Sequence, residues 1–239
     1  MRLPRLIAML LAGGFALLFA AILLSVVPAN AATMGGWRYT DRAAPATTGR
    51  TIDLYVDRDF DDYERGRIVS AMRQWNYVLN GFLRFHARTL PDNPTREMIA
   101  QIRRSGGWVV ARVDSRHPMA RQGEGAHALA VTAGGRGGFV YIISDRIGQR
   151  DLTGVIMHEF GHVLGAGHGG SGLMAPVYNP AMGRCIDREA VALVALAHRL
   201  PLDRLNWCVG PDGSGDFRTP MVQAPHPNAG YRGSMAAQR

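Results

Sequence analysis

His158-Glu159-Phe160-Gly161-His162-Val163-Leu164-Gly165-Ala166-Gly167-His168 carries three candidate metal ligands, a candidate base and a chain-reversing glycine in one short stretch. A helix turns every 3.6 residues, so His158 and His162, four apart, lie on one face with their imidazoles aimed at the same point. Two imidazoles leave a zinc ion short of ligands, and the third must come from outside that face. Gly165 is where the helix can stop, since glycine tolerates the left-handed backbone that ends helices. The chain can then turn back and deliver His168. Three neutral histidines on Zn²⁺ leave one coordination position for water, the arrangement of a catalytic rather than a structural site. Glu159 follows the first ligand directly, so its carboxylate points beside the metal and can take a proton from that water. The plain alternative is a buried helix that happens to hold histidines. A second feature weighs against it: Met174 falls six residues after His168, inside Ser171-Gly172-Leu173-Met174-Ala175-Pro176-Val177-Tyr178.

Upstream, Arg2 and Arg5 precede an apolar run from Leu6 to Val27, and Ala29-Asn30-Ala31 follows. Positive charge, apolar core and an A-x-A site describe a secretory signal peptide over residues 1–31. The run is also long enough to span a bilayer, so an uncleaved anchor over residues 6–27 stays open. Both alternatives place everything after Val27 outside the cytoplasm, because the arginines stay inside. What remains is room for one domain with a full core. Cys185 and Cys208 are the only cysteines. An exported chain with an even count pairs them, with two free buried thiols as the alternative. Net charge is +8, carried wholly by arginine. These arginines are scattered without a dense run or interleaved aromatics, so nucleic-acid binding is not expected.

Residues 32–50 are rich in Gly, Ala and Thr and read as a linker or short pro-segment. Thr51 to Asp57 alternates as a half-buried strand does. Asp61 and Glu64 form a helix-start capping box, and Ile68, Met72, Trp75 and Leu79 recur at helical spacing before Gly81. Trp75 belongs to that stripe and reads as core. Leu83 to His86, Trp108 to Val113, Ala126 to Val131 and Gly138 to Ile143 read as further strands. Gly134-Gly135-Arg136-Gly137-Gly138 joins the last two as a turn, since no strand–helix context for phosphate binding surrounds it. Asp151 or Thr153 starts the zinc helix. Asp187 caps a later helix with an apolar stripe of Leu193, Leu196, Ala197 and Leu200, ended by Pro201. His86 and His117 read as strand or surface histidines. His198 sits in a last helical turn, where a cation suits the dipole. From Val209 the composition is that of a disordered tail, residues 209–239.

The histidine motif followed by a methionine turn resembles the metzincin zinc peptidases. The order strand, long helix, strands, zinc helix, Met-turn and C-terminal helix is similar to their catalytic domain over about residues 51–208. Within that clan the chain looks most like the matrixins, whose turn carries proline two residues and tyrosine four residues past the methionine, as Pro176 and Tyr178 do. The resemblance implies an α+β fold: a twisted mixed sheet of about five strands with a long backing helix, an active-site helix and a C-terminal helix. It makes Met174 an apolar floor under the zinc histidines, and Pro176, Val177 and Tyr178 the lining of a substrate pocket. Ala128, Leu129 and Ala130 fall in the segment similar to the edge strand on which substrate lies antiparallel. Of the second, structural zinc site of matrixins only His127 matches, so one Zn²⁺ per chain is expected. Gly169 stands where matrixins carry serine, and no cysteine precedes the domain to act as a latency switch.

The expected activity is therefore hydrolysis of peptide bonds in extracytoplasmic polypeptides by a monomeric zinc endopeptidase, with Glu159 as general base. Two rivals stand beside it. Glu189 on a later helix can be offered as third ligand in place of His168. A zinc-stabilised binding module without catalysis is the other, and it gives Glu159 nothing to do.

Overall fold

In the structure, a computed structural model, residues 37–45, 49–121, 128–180 and 185–210 are described, together with the backbone of 236–238. The N-terminal segment expected as signal peptide or anchor, and most of the expected disordered tail, lie outside the described residues. Among the described residues no helix is long and apolar enough to cross a membrane.

The chain runs β1 (Arg38–Tyr39), β2 (Arg50–Val56), α1 (Asp62–Val78), β3 (Leu83–Thr89), α2 (Arg96–Arg104), β4 (Trp108–Val113), α3 (Pro118–Arg121), β5 (Ala130–Gly134) and β6 (Gly138–Ile143). It continues through α4 (Leu152–Val163), α5 (Arg188–His198), β7 (Cys208–Val209) and β8 (Ala236–Gln238). Five strands form a mixed sheet in the order β3-β2-β4-β6-β5, parallel except for β5, which returns antiparallel to β6. β8 adds to the outer edge of β5, parallel to it, opposite Val131, Thr132 and Ala133. β1 and β7 make a separate antiparallel pair.

Side chains alternate across a strand, and here one set meets α1 and α4. Ile52, Leu54, Val56, Leu83, Phe85, Trp108, Val110, Ala130, Val140 and Ile142 join the buried residues of those helices in the main core. The opposite face is covered by smaller groups, Leu90, Ile102 and Val109 under α2 and Ala120, Val131 and Ile143 under α3. α1 begins as its sequence dictates. Glu64 N–H donates to Asp61 Oδ1 at 2.7 Å and Asp61 N–H to Glu64 Oε2 at 2.9 Å, satisfying two donors that a helix start leaves open. Its stripe buries Ile68, Met72 and Trp75. The Trp75 indole donates to the Met157 carbonyl at 2.9 Å, which locks the backing helix to α4.

Four details depart from the sequence expectations. β5 spans Ala130–Gly134, so the expected strand Ala126 to Val131 begins later and runs further, its first two residues lying outside the described residues; the tight hairpin pairs Gly134 with Gly138 and counts the register from there. α2 was not anticipated. On α5 the buried face is Ala190, Val191, Val194 and Ala195; of the expected stripe, Leu193 and Leu200 pack half-buried against the core, whereas Leu196 is 79% exposed and Ala197 is exposed too. Both stripes have helical spacing, and the anchoring of Asp187 described below chooses between them. Finally, residues 38–39 of the expected linker are tied down: β1 pairs with β7, and Tyr39 donates to Gln74 Oε1 at 2.6 Å and accepts from Ile186 N–H at 3.1 Å.

Candidate metal centre

α4 is buried almost all round, as a helix is when it runs through a core. It ends where Gly165 adopts φ +78°. Ala166 N–H donates to Gly161 O and Gly165 N–H to His162 O, both at 2.9 Å, the paired bonds of a Schellman cap. That cap does more than stop the helix. It presents the Ala166 carbonyl to His162 Nδ1 at 2.7 Å, and two residues later the chain carries His168 back toward the helix.

His158 is fixed in the same manner, with Nδ1 2.6 Å from the Leu173 carbonyl. A carbonyl oxygen only accepts, so each Nδ1 carries its proton and each Nε2 is left as a lone pair. Burial, reinforced for His158 by the neighbouring His162, holds the two imidazoles neutral, with pKa values of about 3 and about 4. The two Nε2 atoms face one another at 3.0 Å. With both protons on Nδ1 this approach is not a hydrogen bond; it confronts two lone pairs, and a cation between them removes the repulsion. Tetrahedral Zn–N bonds of about 2.0–2.1 Å put ligand nitrogens roughly 3.3 Å apart, close to what is seen. The ligand atoms of His158, His162 and His168 all lie within 4.8 Å of one another. The donor set fits a zinc ion. His158 is buried, His162 half-buried and His168 exposed, so the site opens on the His168 side.

The turn after His168 supports these ligands from below. Asp187, itself buried, accepts from Ala190 N–H at 2.9 Å as the cap of α5 and from Leu173 N–H at 2.7 Å. The Leu173 carbonyl in turn holds His158, so one carboxylate connects the C-terminal helix to a ligand. Met174 is buried, with its thioether against Gly161. A Cβ at Gly161 would collide with Met174 Sδ and come within 2.9 Å of its Cε, so any larger residue between the two α4 histidines requires the buried Met174 side chain to shift.

Glu159 is fully buried. Thr132 Oγ1 donates to its Oε2 at 2.5 Å, while Oε1 finds no hydrogen-bond partner among the described residues. Burial pushes the carboxyl pKa up to about 8, with the Thr132 hydroxyl pulling the other way. Next to His158 in sequence, this buried carboxyl with one oxygen unpartnered among the described residues can, once ionised, accept and return a proton.

Other expected site residues are placed as follows. Ala128 and Leu129 are buried ahead of β5, and Ala130 opens that strand with its side chain in the core. Pro176 and Val177 are exposed, and the half-buried Tyr178 donates toward Asp151 O and Oδ1 at 3.3 Å. Glu189 is absent from the histidine cluster, its carboxylate lying instead against Gly170. His86 pairs with Asp53 at 2.9 Å, and His117 rests on the Tyr141 ring. His198 Nε2 meets the Leu164 carbonyl at 2.9 Å, and burial and then Arg50 lower its pKa, so it is no helix-end cation. His127 lies outside the described residues. Cys185 and Cys208 are bonded, with Cα atoms 6.0 Å apart. Sequence reasoning missed Thr132; the available signal was a hydroxyl at an inward strand position. It also read Asp187 only as a cap.

Neither the models of known protein families nor the curated proteins yield a match to this chain.

Proposed function

We propose that the protein is a zinc-dependent endopeptidase of metzincin type, similar to the matrixin branch, acting outside the cytoplasm. The observation that carries this reading is the pairing of three imidazoles, two of them with Nδ1 bound to carbonyls, with a buried carboxylate that keeps one oxygen free. A bound Zn²⁺ supplies a Lewis acid that polarises a carbonyl oxygen and acidifies a water molecule. His158, His162 and His168 would hold it. Glu159 Oε1 accepts a proton from the water that attacks the peptide carbonyl, and the same oxygen delivers that proton to the departing amine nitrogen. The Leu173 and Ala166 carbonyls keep two ligands in the correct tautomer throughout. A site that only stabilised the fold would have no use for a buried carboxyl with one oxygen unpartnered among the described residues, so the binding-module reading is disfavoured.

Polypeptide substrate is expected to add antiparallel along the edge of β5, with Pro176, Val177 and Tyr178 beside it. The disulfide suits an oxidising compartment. Whether the N-terminal segment is removed or kept as an anchor, the catalytic domain works on the far side of the membrane. The test is chelation. The purified domain should contain one zinc per chain, lose peptide hydrolysis on removal of the metal and regain it when zinc is restored; hydrolysis that persists in metal-free protein refutes the reading.

A further inference from the structure

We infer that Thr132 is a positioning residue for Glu159, holding one carboxylate oxygen so that the other is presented to the reacting water. The inference rests on the peptidase reading above. Thr132 and Glu159 come from different elements, β5 and α4, and meet with Oγ1 2.5 Å from Oε2. The same hydroxyl lies 3.5 Å from the Glu159 carbonyl, too far to compete for its single proton.

Thr132 is the only buried polar residue on a strand among the described residues. The strand itself does not require a hydroxyl there. Valine has the same shape and an equal liking for strands, and it would avoid the desolvation of a buried hydroxyl. The inward positions on the neighbouring strands, Val140 and Ile142 among them, are apolar. What sets Thr132 apart is its partner.

The placement also suits the task. Thr132 pairs with Val140 of β6 in the middle of β5, and its β-branched side chain has restricted freedom at χ1. Its hydroxyl is therefore a fixed point, whereas a carboxylate on a two-methylene stem can rotate. With Oε2 engaged, a proton taken up by Glu159 resides on Oε1, the oxygen from which it can pass to the amine. Alignment of this kind acts on kcat, because it shapes the step after substrate is bound.

The experiment compares the zinc-loaded full chain with Thr132→Val and Thr132→Ser on a quenched peptide, with bound zinc measured by elemental analysis. Thr132→Val should keep one zinc per chain and KM within about twofold, while kcat falls by roughly 10–100-fold, as when a supporting hydrogen bond at a metal site is removed. Thr132→Ser should restore most of the rate. A double-mutant cycle with Glu159→Ala reads the contact without activity: Thr132→Val should lower the unfolding midpoint of the wild type but raise or leave unchanged that of Glu159→Ala, where the hydroxyl has lost its carboxylate partner. A wild-type protein that cuts no peptide sinks the peptidase reading and the catalytic role of Thr132 with it. With wild type active, the positioning role alone is overturned by a fully active Thr132→Val, a Thr132→Ser as slow as Thr132→Val, a rate loss that tracks lost zinc, or a cycle without coupling.

Discussion

At the scale of single residues, the site is built at the expense of the fold. Burial raises the Glu159 carboxyl from 4.5 to about 8. With the folded value raised, the stability tied to this group is fully present below about pH 4.5 and is lost as pH rises through about 8. Glutamine has no proton to lose. In metal-free protein, Glu159→Gln should therefore melt above wild type by a margin that is small near about pH 5 and larger near about pH 8. Thermal melts of both proteins at the two pH values decide this, and a margin that narrows with rising pH contradicts it. The clustering of the three histidines was legible in the sequence because helical spacing and a chain-reversing glycine are local rules. Thr132 was not, because its bond to Glu159 spans 27 residues and depends on β5 packing against α4. The Ala166 and Leu173 carbonyls were equally hidden, since any residue type supplies a carbonyl.

At the scale of elements, α5 and α4 are coupled through Asp187. Replacing it by alanine removes the α5 cap and frees Leu173 N–H, which should lower stability by about 1–2 kcal/mol. The loosened Leu173 carbonyl would hold His158 less firmly, so zinc affinity should fall by roughly 10–100-fold. Urea unfolding and a competitive zinc titration measure the two effects; unchanged affinity beside reduced stability would make Asp187 a cap and nothing more. Legibility differed between elements for physical reasons. α1 declares itself by a capping box and a long stripe. α2 did carry a signal, a Thr95 cap with Ile99 and Ile102 at helical spacing, but in a nine-residue helix that buries only Ile102 fully it is easily passed over. α5 is apolar on more than one face, so spacing alone does not say which face is buried. In the β5 region, small residues alternate ambiguously, and the hairpin glycines set the register.

At the scale of the whole molecule, the Cys185–Cys208 bond closes a loop of 23 residues' separation around α5. In the chain-entropy model such a closure stabilises by about 3 kcal/mol. Urea unfolding with and without reductant should differ by that order, and an identical midpoint would show that the bond adds nothing. The even cysteine count made this pairing legible, whereas the β1–β7 pair is too short to leave a pattern. The C-terminal segment adds a second consequence. β8 lies parallel to β5 over Val131 to Ala133, the reverse of the direction proposed for substrate. Ending the chain at residue 210 leaves that edge open and should raise kcat/KM on a peptide several-fold. An unchanged or lower value would show that β8 does not obstruct the edge.

The central claim is that Glu159 moves the proton while the three histidines hold the metal. Its most direct measurement compares wild type with Glu159→Ala for bound zinc and for cleavage of a mixed peptide library. The account predicts one zinc per chain in both proteins, cleavage by wild type, and a loss of about 10²–10⁴-fold in the variant. A Glu159→Ala protein that holds zinc and cuts peptides at the wild-type rate would contradict it, as would a zinc-loaded wild type that cuts none.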